Sequence, residues 1–223
     1  MMDNLKDKLE ACGRYWARGL VPNDQLERLK GLLVGQDSRG ERIRNDSVLW
    51  TELLRSNFHQ AIVASIPNIR LVRAVGFYKS SATRWSLPWH QDRVIAVQEK
   101  HDCQGFKNWS RKEGQWHCEA PLSILKNMFF CRIYIDDSHE NNGSMEIAVG
   151  SHKNGCVVGE DVDNVAALHA QEICEAKAGD VLILPMLTLH RSKRAQQPKT
   201  RRVIRLDYAD VGLPSPLEWA FSE

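Results

Sequence analysis

Two histidines and an aspartate in the second half of the chain could together bind a metal ion. Residues 88–92 read Pro-Trp-His-Gln-Asp, and residues 187–190 read Leu-Thr-Leu-His after an apolar run. In an extended strand, residues i and i+2 point to the same side, so His90 and Asp92 can converge on one point. A second strand can bring His190 there. Two imidazoles and one carboxylate are the ligand set of non-haem Fe(II) centres, which keep coordination positions open.

A group of arginines follows His190 at short distance. Residues 200–205 read Thr-Arg-Arg-Val-Ile-Arg, a strand-like segment. A deeply placed guanidinium suits a dicarboxylate co-substrate, because its planar fork binds a carboxylate through two parallel hydrogen bonds. Strand alternation allows only one of Arg201 and Arg202 to face inward.

Each of these signals has a structural alternative. A His-x-Asp pair arises by chance in many chains, and a histidine after an apolar strand often packs or caps. Neighbouring arginines can form an exposed charge cluster on an edge strand. The order, the spacing and the strand context of the three features together favour a metal centre with an anionic co-substrate.

The elements that must position these residues change character along the chain. Residues 1–66 carry apolar side chains at helical spacing, which predicts three helices: one over residues 5–12, one from Pro22 to Gly35, and one from Asp46 to Pro67. From Ile69 onward short strand-like runs prevail. They cover residues 71–78, 94–98, 128–135, 144–149, 181–184 and 203–206. Helices followed by many short strands predict an α+β protein with a mainly β core.

Residues 100–127 form a long polar connection rich in Trp and His. A connection of this length inside a compact domain is usually a lid or binding loop, although a surface insertion without a role is the alternative. The length favours one domain over residues 1–223.

Composition excludes several classes of protein. The 223 residues are 43% hydrophobic and 26% charged with a net charge of +2, which argues against disorder and nucleic-acid binding. The apolar runs are too short to span a membrane, and the charged N-terminus is unlike a secretory signal. The six cysteines are scattered without a CxxC pair, as expected of free thiols in the cytoplasm.

The motifs and their order resemble the phytanoyl-CoA dioxygenase-like branch of the Fe(II)/2-oxoglutarate-dependent oxygenases. The resemblance covers residues 71–219. The matching segments are 77–79, Trp85, 88–92, 135–137, 141–146, 150–155, 178–180, 190–192 and 201–203. The family implies a double-stranded β-helix (jelly roll, cupin-like) over residues 69–219, with residues 100–127 as a lid or insert and residues 1–66 as a helical buttress.

The resemblance also implies roles for individual residues. His90, Asp92 and His190 would be the iron ligands. Arg201 and Ser192 would bind the distal carboxylate of 2-oxoglutarate, with Arg202 as the alternative to Arg201. Arg132 lies where relatives place another co-substrate-facing side chain. The carboxylate of Asp92 separates this chain from halogenating relatives, which carry a small residue there.

These assignments predict an enzyme that uses Fe(II), 2-oxoglutarate and O₂ to hydroxylate an unactivated C–H bond, releasing succinate and CO₂. We expect a small organic substrate: a carboxylic acid, an amino acid or a specialised metabolite. Desaturation and ring closure would use the same residues. Candidate substrate-binding residues are Lys79, Trp85, Trp109 and His117, with Arg84, Arg93 and Lys107 as further basic candidates, and packing is the alternative role for the aromatic ones.

Two other functions remain open from the sequence. One is a metal-binding double-stranded β-helix protein without oxygenase activity, such as a cupin-like isomerase or a ligand sensor, in which Arg201 would be dispensable. The other is a scaffold protein with a vestigial triad, which would bind no stoichiometric iron.

Overall fold

The computed structural model describes residues 4–33, 40–79, 85–196 and 200–221. Its N-terminal part is mainly helical. The elements are α1 (Leu5–Cys12), β1 (Tyr15–Ala17), α2 (Asn23–Leu32), β2 (Glu41–Arg42), α3 (Val48–Leu54) and α4 (Asn57–Ser65). No helix within the described ranges combines the length and apolar character needed to cross a bilayer.

The rest of the chain is mainly β. It contains β3 (Arg70–Lys79), β4 (Leu87–His90), β5 (Val94–Val97), β6 (Lys107–Lys112), β7 (Gln115–Glu119), α5 (Leu122–Leu125), β8 (Met128–Tyr134), β9 (Met145–Ala148), α6 (Val162–Ala167), β10 (Gln171–Ile173), β11 (Val181–Pro185), β12 (His190–Ser192) and β13 (Arg201–Ala209). Short 3₁₀ helices cover Glu140–Asn142, Ser151–Asn154 and Gly159–Asp161.

Two antiparallel sheets form the body of the molecule. The large sheet has the strand order β1-β11-β8-β13-β3-β2, and the small sheet has the order β10-β9-β12-β4. Phe130 and Leu184 of the large sheet share one apolar cluster with Met145 and Ile147 of the small sheet, so the sheets pack face to face. The prediction of an α+β protein with a double-stranded β-helix is confirmed.

The N-terminal helices cover the other face of the large sheet. Because side chains alternate along a strand, Phe129, Cys131 and Ile133 of β8 point to the helices, while Phe130 and Tyr134 point between the sheets. The helices bury a matching apolar stripe that consists of Leu5, Leu9, Leu26, Leu29, Leu53, Phe58 and Ile62. The large sheet therefore separates an apolar helical layer from the interior that holds the site.

The predicted third helix is two helices. Ser47 caps α3 by accepting a hydrogen bond from the Trp50 amide (3.1 Å), whereas Asp46, the predicted cap, pairs with Arg44. A second serine, Ser56, caps α4 through the His59 amide (3.2 Å). A serine side chain readily accepts hydrogen bonds from the free amide groups at a helix start, so the second serine begins a new helix. The apolar periodicity that predicted one helix therefore covers two. Gly35, the predicted end of the second helix, lies outside the described residues.

Residues 100–127, predicted as a lid or insert, contain regular structure. β6 and β7 form a hairpin, and β7 also pairs with β5 to give a three-stranded sheet. The two turn residues, Glu113 and Gly114, have positive φ angles of 51° and 83°. Such turns match the twist of the strands that they connect. The sequence indicates this turn only by a single Glu-Gly pair in a polar stretch.

Phe58 tests how much the helical layer contributes to stability. Its side chain is fully buried against the large sheet, so Phe58→Ala should lower the free energy of unfolding by about 3–5 kcal/mol. Val63 lies on the same helix but is 40% exposed, so Val63→Ala is the matched control and should cost much less. Urea unfolding of both variants measures the difference, and equal losses would show that α4 does not anchor the layer.

Candidate metal centre and co-substrate site

Strand pairing brings the two predicted histidine ligands together. β12 pairs antiparallel with β4, and His190 lies directly opposite His90 in that register. The centroids of the two imidazole rings are 4.3 Å apart. Asp92 follows two residues after His90, and one ligand atom from each of the three residues lies within 4.8 Å of the others. The structure therefore brings together the three side chains that the sequence singled out as metal ligands.

Backbone carbonyl groups orient both imidazoles. The Nδ1 atom of His90 lies 2.8 Å from the Pro88 carbonyl oxygen, and that of His190 lies 2.9 Å from the Thr188 carbonyl oxygen. A carbonyl only accepts hydrogen bonds, so both Nδ1 atoms carry the proton and both Nε2 atoms keep a free lone pair. Burial lowers the pKa of His90 to about 4, so this imidazole is neutral. Neutral imidazole is the form that binds metals.

Asp92 is ionised despite its partial burial. Burial by itself disfavours the carboxylate, but the nearby Arg205 guanidinium outweighs it and holds the pKa of Asp92 well below its ordinary value. Arg205 forms an ion pair with the Oδ2 atom of Asp92, and the Nε2 atom of His190 lies 3.1 Å from the same oxygen. The site thus offers one anionic oxygen and two imidazole nitrogens, a donor set that fits Fe(II).

Gln91, between the two predicted ligands, fixes the surrounding loops. Its side-chain amide donates hydrogen bonds to the carbonyl oxygens of Gly155 (2.8 Å) and Leu187 (2.7 Å). Its amide oxygen accepts one from the backbone N–H of Val157 (2.9 Å). The sequence analysis gave Gln91 no role, because these three partners are distant from it along the chain.

A group of buried cations lies on the inner face of the large sheet. Arg201 on β13 is 1% exposed and pairs in register with Lys79 on β3, which is fully buried. The Lys79 ammonium donates to the Ser192 hydroxyl (2.7 Å) and to the carbonyl oxygens of Gly143 (3.1 Å) and Lys193 (2.9 Å). Arg132 on β8 is 7% exposed, and its guanidinium lies 5.6 Å from the Phe77 ring.

These cations fit a dianionic ligand. The Nε and Nη1 atoms of Arg201 and the Nε atom of Arg132 are buried without a hydrogen-bond partner among the described residues. Burial, with Arg132 nearby, lowers the pKa of Arg201 to about 10, and burial with Arg201 and Arg132 nearby lowers that of Lys79 to about 7. Unpaired donors and depressed pKa values both mark a place where an anion would be stabilised. The dicarboxylate 2-oxoglutarate meets this requirement.

Arg202 faces the other side of β13. Its Nε and Nη2 atoms each donate to an oxygen of Asp136 at 2.8 Å, a bidentate ion pair that leaves the guanidinium only partly buried. Of the two arginines that the sequence left open, Arg201 is therefore the one that faces the interior, which supports its assignment to the co-substrate.

The predicted substrate-binding residues lie in different places. Trp85 is buried next to the cations: its ring lies 4.2 Å from the Lys79 ammonium, and its indole N–H donates to the Tyr78 carbonyl oxygen. Trp109 and His117 lie on the three-stranded sheet, where His117 contacts Arg42 at 3.4 Å. Their role in substrate binding stays a prediction.

The further basic candidates have surface contacts or lie beyond the described residues. Arg93 and Lys107 both approach the Glu119 carboxylate, at 3.4 and 3.8 Å. Arg84 lies outside the described residues. Neither Arg93 nor Lys107 adds to the buried cations of Lys79, Arg132 and Arg201.

This fold and donor set define a class: double-stranded β-helix proteins with a metal centre of two histidines and one carboxylate. The sequence profile of the phytanoyl-CoA dioxygenase (PhyH) family matches residues 18–203. The chain belongs to this family, and it is an Fe(II)- and 2-oxoglutarate-dependent oxygenase. No curated protein matches its sequence significantly.

Solved structures with the same fold include proteins from Streptomyces species. HygX from Streptomyces hygroscopicus, solved with nickel, 2-oxoglutarate and hygromycin B, is 18% identical with a TM-score of 0.61, covering 92% of this chain and 85% of its own. AviO1 from Streptomyces viridochromogenes Tue57 is 19% identical with a TM-score of 0.64, covering 96% and 98%. The carbocyclase SnoK from nogalamycin biosynthesis is 13% identical with a TM-score of 0.65, covering 93% and 83%. Identities this low support the fold alone.

The buried Lys79 predicts how stability depends on pH. Its pKa is about 7 in the fold, against the ordinary value of 10.5 for the unfolded chain. Between these two values the unfolded state binds one proton more than the folded state, so the free energy of unfolding should rise with pH through Lys79. Urea unfolding between the two pH values should therefore show a steeper rise for the wild type than for Lys79→Met.

The exposed Lys126 provides the control for this experiment. Lys126→Met should keep the wild-type pH dependence, because its ammonium remains in water. If the free energy of unfolding rises equally with pH in the wild type and in Lys79→Met, the Lys79 ammonium does not lose its proton in this range.

Proposed function

We propose that this oxygenase hydroxylates an unactivated C–H bond of a small organic substrate, with the iron held by His90, Asp92 and His190. The distal carboxylate of 2-oxoglutarate would be bound by Arg201 and Ser192. The observation that carries this proposal is the juxtaposition of the three-residue donor set with a group of buried cations that lack an anion.

Lys79 and Arg132 extend the proposed co-substrate site. Lys79 was a candidate for substrate binding, but its hydrogen bond to Ser192 and its place beside Arg201 favour the co-substrate. Arg132 pairs in register with Arg205 on the same inner face. Two carboxylate groups among these cations would compensate the charges that the fold buries.

The chemistry divides between the bound groups and the chain. When bound, iron and 2-oxoglutarate would supply an oxidation that consumes O₂: one oxygen atom enters succinate as 2-oxoglutarate loses CO₂, and the other converts a substrate C–H bond to C–OH. The chain orients the ligands through the Pro88 and Thr188 carbonyl groups. Its apolar interior, which includes Phe130 and Val203, excludes water from the site.

A specialised metabolite is the substrate class that we favour. HygX binds hygromycin B in its crystals, and SnoK is a carbocyclase from nogalamycin biosynthesis, so this fold can accommodate such compounds. Trp109 and His117 are the proposed substrate-facing residues on the three-stranded sheet. Because SnoK is a carbocyclase, ring closure is the second candidate reaction, and the mass of the product would distinguish it from hydroxylation. The non-oxygenase alternative leaves the buried cations without a purpose.

An anaerobic titration of the apo-protein with Fe(II) and 2-oxoglutarate tests the metal centre. We expect a visible charge-transfer band only when both components are present, and His190→Ala should abolish it because a ligand is lost. His169 is the matched control, since it contacts Asn154 and the Val149 carbonyl oxygen outside the site, and His169→Ala should keep the band. Iron binding without a band would favour the non-oxygenase protein.

Replacement of Arg201 tests the co-substrate site. Arg201→Met should raise the KM for 2-oxoglutarate roughly 10- to 100-fold, because a charge-assisted hydrogen bond contributes about 1.5–3 kcal/mol. Arg202→Met removes a neighbouring arginine of the outer face and should leave this KM unchanged. The rate of succinate formation, measured at varied concentrations of 2-oxoglutarate, gives the KM of both variants. A raised KM in Arg202→Met alone would assign the site to the other arginine.

A further inference from the structure

We propose that Arg205 is a positioning residue that holds the Asp92 carboxylate toward the two imidazoles before the metal binds. The inference rests on the proposed metal centre and adds a residue to it. Arg205 lies on β13 four residues after Arg201, so it also faces the interior. It is the third arginine of the segment that the sequence analysis singled out, and it had no assigned role.

Four residues contact the Arg205 guanidinium. Its Nη1 atom donates to Oδ2 of Asp92, and its Nε atom donates to Oδ1 of Asp207 at 2.6 Å. Its Nη2 atom lies 3.4 Å from the Met186 sulfur, and the Phe130 ring lies 4.1 Å from the guanidinium carbon. The side chain is 4% exposed, so the guanidinium cannot turn away from Asp92 without losing these contacts.

Asp207 anchors this arrangement to a second strand. It is 2% exposed, and its other oxygen accepts a hydrogen bond from Nε of Arg73 on β3 at 2.5 Å. Asp92, Arg205, Asp207 and Arg73 therefore form a row of alternating charges that runs from the metal centre into the large sheet. Each charge has a partner of opposite sign, which is the condition for holding ions in a buried place.

Asp92 needs such support more than the histidines do. Backbone carbonyl groups orient both imidazoles, whereas Asp92 lies in the short connection between β4 and β5. Arg205 is the only Arg or Lys paired with Asp92 among the described residues. Since a charge-assisted hydrogen bond in a poorly hydrated place is strong and directional, the guanidinium fixes the oxygen that lies 3.1 Å from His190.

A purely structural role for Arg205 makes a different prediction. If Arg205 only neutralised Asp207, its loss would lower stability but leave the affinity of the folded protein for a metal unchanged. A positioning role predicts weaker binding, because the carboxylate must then be ordered when the metal binds. Loss of a residue that orients a metal ligand typically costs about 10- to 100-fold in affinity.

The test measures Mn(II) binding to the apo-protein from the EPR signal of free Mn(II), which requires no turnover. We expect Arg205→Met to weaken binding about 10- to 100-fold, and Arg205→Lys to weaken it less, because lysine keeps the charge but lacks the fork. Arg202→Met is the matched control: it removes another Arg–Asp pair of the same strand, on the outer face, and should keep the wild-type affinity.

A second measurement records the visible spectrum of each variant saturated with Co(II). The spectrum should change in Arg205→Met and stay unchanged in Arg202→Met, since only the former alters the position of a ligand. Wild-type affinity and spectrum in folded Arg205→Met and Arg205→Lys would overturn the inference while leaving the metal centre intact. If Arg205→Met does not fold, Arg205→Lys decides by the same criteria. Failure of the wild type to bind Mn(II) would instead overturn the proposed centre, and this inference with it.

Discussion

The pairing of β12 with β4 and β9 is the interaction on which the site depends. β12 has three residues, yet its inward positions supply both His190, opposite His90, and Ser192, which contacts Lys79. The outward residue between them, Arg191, pairs with Glu146 of β9 at 2.8 and 3.0 Å. A slip of one residue would turn His190 and Ser192 outward together. The register of this one short strand therefore positions both a proposed metal ligand and a proposed co-substrate contact.

Charge compensation divides the interior of the large sheet into two parts. Near Asp92, the cations Arg205 and Arg73 have the carboxylates of Asp92 and Asp207 as partners, so this part is complete within the chain. The cations of Arg201, Lys79 and Arg132, the last of which lies opposite Arg205 on β8, have hydrogen bonds to neutral groups at most, and two of them keep nitrogen atoms without a partner among the described residues. The first part can hold a ligand set in place, and the second has charge available for an anion. This division matches a bound metal beside a dicarboxylate.

A polar interior of this kind costs stability, and the opposite face of the large sheet offsets that cost. Burial of cations without partners is unfavourable. On the helical side, Ile133, Ile183, Ile204 and Leu206 belong to one apolar cluster with Leu29, Leu53 and Phe58 of the helices. Because neighbouring residues of one strand serve the two faces, the sequence of β13 alternates between residues of the site and residues of the core. The strand can therefore support function and folding at the same time.

The sequence alone determined the metal ligands as candidates, the change from helical to strand period, and the family. The His-x-Asp spacing and the order of the motifs are properties of the sequence itself, so they can be recognised without knowledge of the fold. Only the tertiary structure decided that Arg201 faces inward and Arg202 outward. The same holds for the three hydrogen bonds of Gln91 to distant backbone groups and for the ion pair of Arg205 with Asp92. The tertiary structure also decided that residues 107–119 form a hairpin within a sheet. The physical reason is that each of these outcomes depends on strand register and on partners distant in sequence, and local periodicity does not encode which residues lie across an interface.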